Sequence, residues 1–309
     1  MAERRMSSVV GAVLPRAITG LLILGPVAAV AVSVPLLWGH AVHLRDLIMA
    51  VVLYAITGHG VTVGFHRLFA HRGFTPTRPL KIVLAIAGSM AIEGSVISWV
   101  ANHRRHHVYS DKAGDPHSPH ATAKGVLGPL RGFAHAHVGW LFANDPSSPE
   151  RYAADLVRDR DLSVVSKLFP LFAIASLGIP FGIGWISSRT LAGALTAFVW
   201  AGLVRMAMLH HVTWSVNSIC HSFGRRPYHA RDESRNNWLL ALPTLGEAWH
   251  NNHHAFPSSA ILGLDRRQVD PGGLVIRALE RCGLVWNVHR PDVEQRARRR
   301  LPAIKSHRA

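Results

Sequence analysis

"LIMAVVLYAITGHGVTVGFHRLFAHRGF", residues 47–74, runs a membrane-like apolar stretch directly into two histidines. From Leu47 to Phe65 the chain is almost wholly apolar. As a helix that stretch is long enough to cross a bilayer core of about 30 Å. His66 and His71 follow at once, so any site they build sits at the end of a span. His59, inside the run, reads as a packed polar residue.

Three further runs have the same character: Ala17–Leu37, Leu168–Ile186 and Leu191–Leu209. The third of the four in chain order carries Pro170 and Pro180, which membrane helices tolerate. The opening "MAERRMSS" is followed by no clean small-residue cleavage site, so the first run reads as a span rather than a removed signal. A fifth run, Leu80–Val100, contains Glu93 and starts beside Arg78 and Lys81. We expect it to lie at the membrane interface or beneath a cap, not to cross.

The charge is +16, and it sits between the apolar runs. Residues 66–167 hold 13 Lys or Arg and the chain after His210 holds 15, against one each around Arg45 and Arg189. Positive residues favour the cytoplasmic side. The expectation is an all-α integral membrane protein in one domain, 1–309. Four transmembrane helices (17–37, 47–65, 168–186, 191–209) form a bundle in the cell membrane. A helical cytosolic cap is built from 66–167 and 210–290, both termini are cytoplasmic, and a basic tail, 291–309, contains "RARRR". No helix-turn-helix, zinc-finger or RNP-type pattern accompanies the charge, so nucleic acid is not the expected partner. With only Cys220 and Cys282, no disulfide framework is expected.

Twenty-one histidines are the outlier. Four sites stand out: "HRLFAHR" (His66, His71), "HRRHH" (His103, His106, His107), "NSICH" (Asn217, His221) and "HNNHHAFP" (His250, His253, His254). In the second and fourth the spacing is i, i+3, i+4, which places three imidazoles on one helix face. One such triplet is compatible with an amphipathic surface; two in one chain are hard to explain that way. With four spans all four sites share one side of the membrane. Nine imidazoles exceed what one ion takes and suit two. Imidazole serves zinc, copper, iron and nickel alike, so ligand type leaves the metal open. Glu247, Asp111 and Asp115 lie near the clusters, where they either orient ligand imidazoles or make ordinary salt bridges. A metal transporter would instead place histidines and carboxylates within the spans.

The order HxxxxH, HxxHH, NxxxH, HxxHH resembles the membrane delta-9 (stearoyl-CoA desaturase-like) fatty acyl desaturases, in a bacterial form. "GFHRLFAHR", "DPH" (115–117), "HVGWLF" (137–142), "TWSVNSICHSFG" and "GEAWHNNHHAFP" carry the likeness, from about Leu47 to Val269. The resemblance implies that His66, His71, His103, His106, His107, His221, His250, His253 and His254 hold two Fe ions. It further implies that Asn217 reaches metal through a water and that Trp214 lies beside the acyl path. His117, His135, His137, His210 and His211 match no ligand position.

The implied reaction is O2-dependent desaturation. A saturated CH2 has no acidic proton for a base to remove, so oxidation at a metal is required, with two external electrons per turnover. Asp270 precedes the "PGG" of 271–273, so this is not a cytochrome b5 haem motif, and no GxGxxG appears. A separate donor is therefore expected: ferredoxin, a cytochrome b5, or an iron–sulfur flavoprotein reductase. Ala101 and Asn102 stand where the animal acyl-CoA enzymes carry an Arg-Asp pair, and Gly94 replaces a polar headgroup contact. Acyl-CoA is the first expected substrate and lipid-bound acyl chains the second. A related hydroxylase would share every ligand.

Overall fold

The structure, a computed structural model, describes residues 2–37, 42–120, 125–143 and 145–302. The end of the expected basic tail, 303–309, lies outside the described residues. The chain is mostly helical: α1 (Ala2–Leu37), α2 (Leu44–Ala70), α3 (Arg78–Ser89), α4 (Val96–Tyr109), α5 (Gly128–His137), α6 (Phe169–Ser188), α7 (Leu191–Ser218), α8 (His250–Ala255), α9 (Pro271–Arg281) and α10 (Val293–Arg299), with short helical turns between α5 and α6. One departure from all-α is a two-stranded antiparallel ladder, Thr75 opposite Trp286 and Pro76 opposite Val285.

Among the described residues three helices are long and apolar enough to cross a membrane: α2, α6 and α7. Four spans were expected. The first run falls inside α1, where the apolar helical stretch is Thr19–Pro35. Helices α2 and α7 also run beyond their expected ends, to Ala70 and Ser218. Outward faces are apolar, with Ile48, Val51 and Val52 of α2 and Leu171, Ile174 and Ile186 of α6 exposed. Water would penalise such a surface, and lipid does not; the protein is membrane-embedded.

The ambiguous run Leu80–Val100 does not form one continuous helix. It breaks into α3 and α4 at Met90–Ser95, where Ile92 (φ 64°) and Gly94 (φ 112°) take left-handed backbone. Ser95 then caps α4, accepting from the Ser98 amide at 3.4 Å.

Packing around α2 is tight. A Cβ on Gly60 would lie 2.1 Å from the Gly88 nitrogen of α3, so the two helices meet backbone to backbone. Below that contact Val63, Phe65, Phe69, Leu84, Val96, Val100, Ile261 and Ile276 form the main core, which locks α2, α3, α4 and α9 together.

Candidate metal centre

Why should histidines five apart cooperate? On an α-helix they point about 140° apart. Here α2 changes winding: Gly60–Ala70 is π-helical, a form that concentrates at functional sites. The His71 amide donates to the His66 carbonyl at 3.2 Å, an i→i+5 bond. The two rings consequently lie 4.9 Å apart.

The nine histidines gather into two groups, the ring nitrogens of each group lying within 4.8 Å of one another. One holds His66, His71, His103, His107 and His253; the other holds His106, His221, His250 and His254. The two HxxHH triplets divide in opposite senses. On α4 the i, i+4 pair His103 and His107 enters the first group and His106 the second. On α8 the i, i+4 pair His250 and His254 enters the second group and His253 the first. Each triplet therefore straddles both groups and fixes their separation.

A six-residue helix does not hold itself together. Buried Asn251 and Asn252 fasten α8 instead. Asn251 accepts from the Tyr228 amide (2.9 Å) and donates to its carbonyl (3.1 Å). Asn252 accepts from Asn236 (2.7 Å) and donates to the Leu262 carbonyl and Gln268 (2.7 Å each). Their spacing turns them away from the imidazoles, and their role is structural.

The donor set fits two cations. Nε2 faces Nε2 across His66–His253 (3.0 Å), His71–His103 (2.8 Å), His107–His253 (2.9 Å) and His221–His250 (3.0 Å). Neutral imidazoles cannot satisfy so many converging lone pairs among themselves. Buried His106 Nε2 and His254 Nε2 have no hydrogen-bond partner at all. A cation in each group resolves both conditions. Burial, reinforced by neighbouring imidazoles, pushes His71, His103, His107, His250 and His253 well below the ordinary histidine range. They are neutral at pH 7, as ligands must be.

The opposite ring nitrogens meet carboxylates. His66 Nδ1 lies 2.5 Å from Glu247, His221 Nδ1 donates to Asp111 at 2.8 Å, and His106 Nδ1 to Asp115 at 3.0 Å. The three acids left open between orientation and surface pairing thus sit against the outer ring nitrogens of clustered histidines, Asp115 buried and Asp111 and Glu247 half-buried, where a carboxylate can orient a ligand ring. A fourth went unseen in the sequence: His254 Nδ1 donates to Asp232 at 2.6 Å. Burial would raise Asp111, Asp115 and Asp232, but their histidine partners outweigh it and hold all three below the usual carboxylate range. Glu247 is itself gripped by buried Arg67 (3.1 Å), whose guanidinium also takes Asp270 at 2.9 Å.

Two cavities reach the centre. One, about 250 Å³, is bordered by Leu22 and Ile23 of α1 and by Asn102, Trp140 and Trp214. The other, about 50 Å³, is bordered by Val61, Leu209, Val212, Val216 and His250. They share Trp99, His103, Thr213 and Asn217. Trp99 stacks on His103 (5.1 Å, 16°) and donates from Nε1 to Glu93 at 3.3 Å. Burial pushes the Glu93 carboxyl up to about 7. Of the histidines set aside, His117 stacks on His106 at 4.6 Å. His137 pairs with His211 (3.0 Å), His210 reaches the Ala91 carbonyl (2.8 Å) and His135 the Pro116 carbonyl (3.2 Å).

Comparison with known proteins places this geometry. Residues 38–266 match the model of the fatty acid desaturase family. The chain is 41% identical over 87% of its length to hex-5-enoyl-[acyl-carrier protein] acetylenase of Moorena producens, covering 84% of that protein. It is 38% identical over 80% of its length to sn-1 stearoyl-lipid 9-desaturase of Anabaena variabilis, covering 85%. It is 36% identical over 81% of its length to delta-9 acyl-lipid desaturase 1 of Arabidopsis thaliana, covering 77%. The histidine groups suit the di-iron, O2-using centre typical of these proteins.

Proposed function

The chain belongs to the fatty acid desaturase family, and on that premise we propose that it places a cis double bond, at the delta-9 position, in a saturated long-chain acyl group carried on a membrane lipid. The observation that carries the proposal is the pair of imidazole groups bordering an apolar cavity through His103 and His250. The relatives named for lipid-bound substrates favour lipid over the acyl-CoA carrier first expected. Ala101 and Asn102, in place of an Arg-Asp pair, point the same way.

In this reading His66, His71, His103, His107 and His253 would hold one iron, and His106, His221, His250 and His254 the other, with Asn217 reaching metal through a water. When bound there, two irons would supply the O2-activating chemistry needed to remove two hydrogens from adjacent CH2 groups. Overall, RCH2CH2R′ + O2 + 2e⁻ + 2H⁺ gives RCH=CHR′ + 2H2O. The chain's own residues do the rest. Trp99, Thr213 and Trp214 line the path and fix which carbons pass His103, which is catalysis by positioning. Glu247, Asp111, Asp115 and Asp232 hold the ligand rings in one tautomer. We further place α1 as a fourth span, the cap and both termini on the cytoplasmic side, and the electrons in a separate protein.

Expression in a host membrane with a reductase and ferredoxin, followed by gas chromatography of the acyl chains, tests this. New cis-monoenes should appear, concentrated in the glycerolipid fraction, and vanish with His253→Ala. Product formed from stearoyl-CoA before any lipid is labelled would sink the lipid assignment, and hydroxylated chains would sink desaturation.

A further inference from the structure

A second approach to the same histidines shares no residue with either cavity. It is a surface cleft of about 410 Å³ whose floor is His71, His107 and His254. These belong to both groups: His71 and His107 to the first, His254 to the second. The rings of His107 and His254 stack at 4.5 Å and 23°, so one contact joins the two groups at the base of the cleft.

The rim is basic, with His229, Arg231 and Arg299 around it. An adjoining cleft shares Arg299 and adds Arg290 and Arg298, which are paired with Glu280 and Glu294. The acid in the lining, Asp232, is occupied by His254. Arg104 is committed to Asp155 at 2.6 Å. Arg231 is exposed, and none of the ion pairs among the described residues includes it. Its charge therefore faces outward, at a cleft lined by imidazoles of both groups. Electron transfer weakens steeply with distance, and through this cleft a carrier would approach histidines of both groups at once.

We infer that this cleft docks a small, acidic, one-electron carrier protein and passes its electrons inward through the His107–His254 stack. The inference rests on the di-iron reading. Two docking events, each oxidising one carrier, deliver the two electrons that join the two taken from the C–H bonds in reducing O2 to water. Substrate enters from the opposite set of residues, so carrier and acyl chain do not compete.

The test is binding of reduced acidic [2Fe–2S] ferredoxin to the iron-loaded enzyme, measured across ionic strength. Arg231→Glu should raise Kd about tenfold at low salt, with the gap closing as salt shortens the screening length. Arg231→Lys, which keeps the charge, should restore binding. A second basic cleft, lined by Arg225, Arg266 and Arg267, touches none of the nine histidines. The double change Arg266→Glu with Arg267→Glu should therefore shift Kd by less than about twofold. Three results each overturn the inference: an unchanged Kd in Arg231→Glu, equal weakening by the distal pair, or no salt-sensitive binding by the unmodified enzyme. Unmodified enzyme run on dithionite-reduced methyl viologen reports separately on desaturation. Failure there removes the catalytic reading, while the Kd comparison still judges the cleft.

Discussion

Asp232 touches His254 across 22 positions of sequence, and its buried carboxylate accepts the Nδ1 proton at 2.6 Å. That bond leaves Nε2 as the lone-pair nitrogen, the atom that otherwise has no partner. Asp232→Asn keeps the shape and removes the charge. The imidazole then loses the electrostatic bias that fixes its tautomer, so metal affinity in the second group should fall about 10- to 100-fold. Iron analysis of the purified variant should read about one iron per chain where the unmodified protein holds about two. A variant that keeps its full complement through dialysis against a mild chelator would show that Asp232 does not orient a ligand. Nothing in the linear pattern pairs these two residues, because the link is tertiary and follows no period. The HxxHH triplets were legible for the converse reason: i, i+3, i+4 is a property of the helix itself.

At the scale of elements, the decisive feature is the π-helical end of α2, held by its contact with α3. Gly60 and Gly88 allow backbone approach there; a Cβ on Gly60 would fall 2.1 Å from the Gly88 nitrogen. Gly60→Ala should force the helices apart at a cost of about 1–3 kcal/mol, lowering the melting temperature and the iron content together, since His66 rides on the displaced segment. Gly178→Ala is the control: in α6 nothing lies within 4 Å of its added Cβ, and its melting temperature should match or slightly exceed that of the unmodified protein. Equal effects at both positions would show that the contact does not matter. Hydropathy made α2, α6 and α7 visible, because spanning needs length and apolarity. It placed the end of α2 at Phe65 because the polarity changes at His66, although the backbone winds on to Ala70. At Met90–Ser95 the Glu93 carboxylate made the run ambiguous, but the position of the break was hidden, because left-handed backbone at Ile92 and Gly94, which ends the helix, leaves no hydropathy signal.

Across the whole molecule, the buried imidazoles make folding sensitive to pH before any metal binds. Burial, with the repulsion of neighbouring rings, lowers His71, His103, His107, His250 and His253, and burial brings His254 down to about 4 against the pull of Asp232. Unfolded, each returns to its ordinary value of about 6.5. Between roughly 6.5 and 4 the unfolded chain thus binds protons that the folded chain refuses, and stability must fall as pH falls. His106 opposes the trend, because Asp115 outweighs burial and raises it, but it is one ring against six. The lowered carboxylates Asp111, Asp115 and Asp232 act in a different window. Their stabilisation is complete above about 4 and is lost only at stronger acidity. Metal-free protein in detergent should therefore melt at steadily lower temperature from pH 7 to pH 5, each imidazole contributing on the order of a kcal/mol. Iron-loaded protein should melt higher at every pH, because the ligand binds the folded state alone. It should also lose iron as protons compete for the same nitrogens. A metal-free melting temperature that stays level or rises on acidification would mean that these imidazoles already carry protons in the folded protein, and with them bound the two groups could not accept cations at neutral pH.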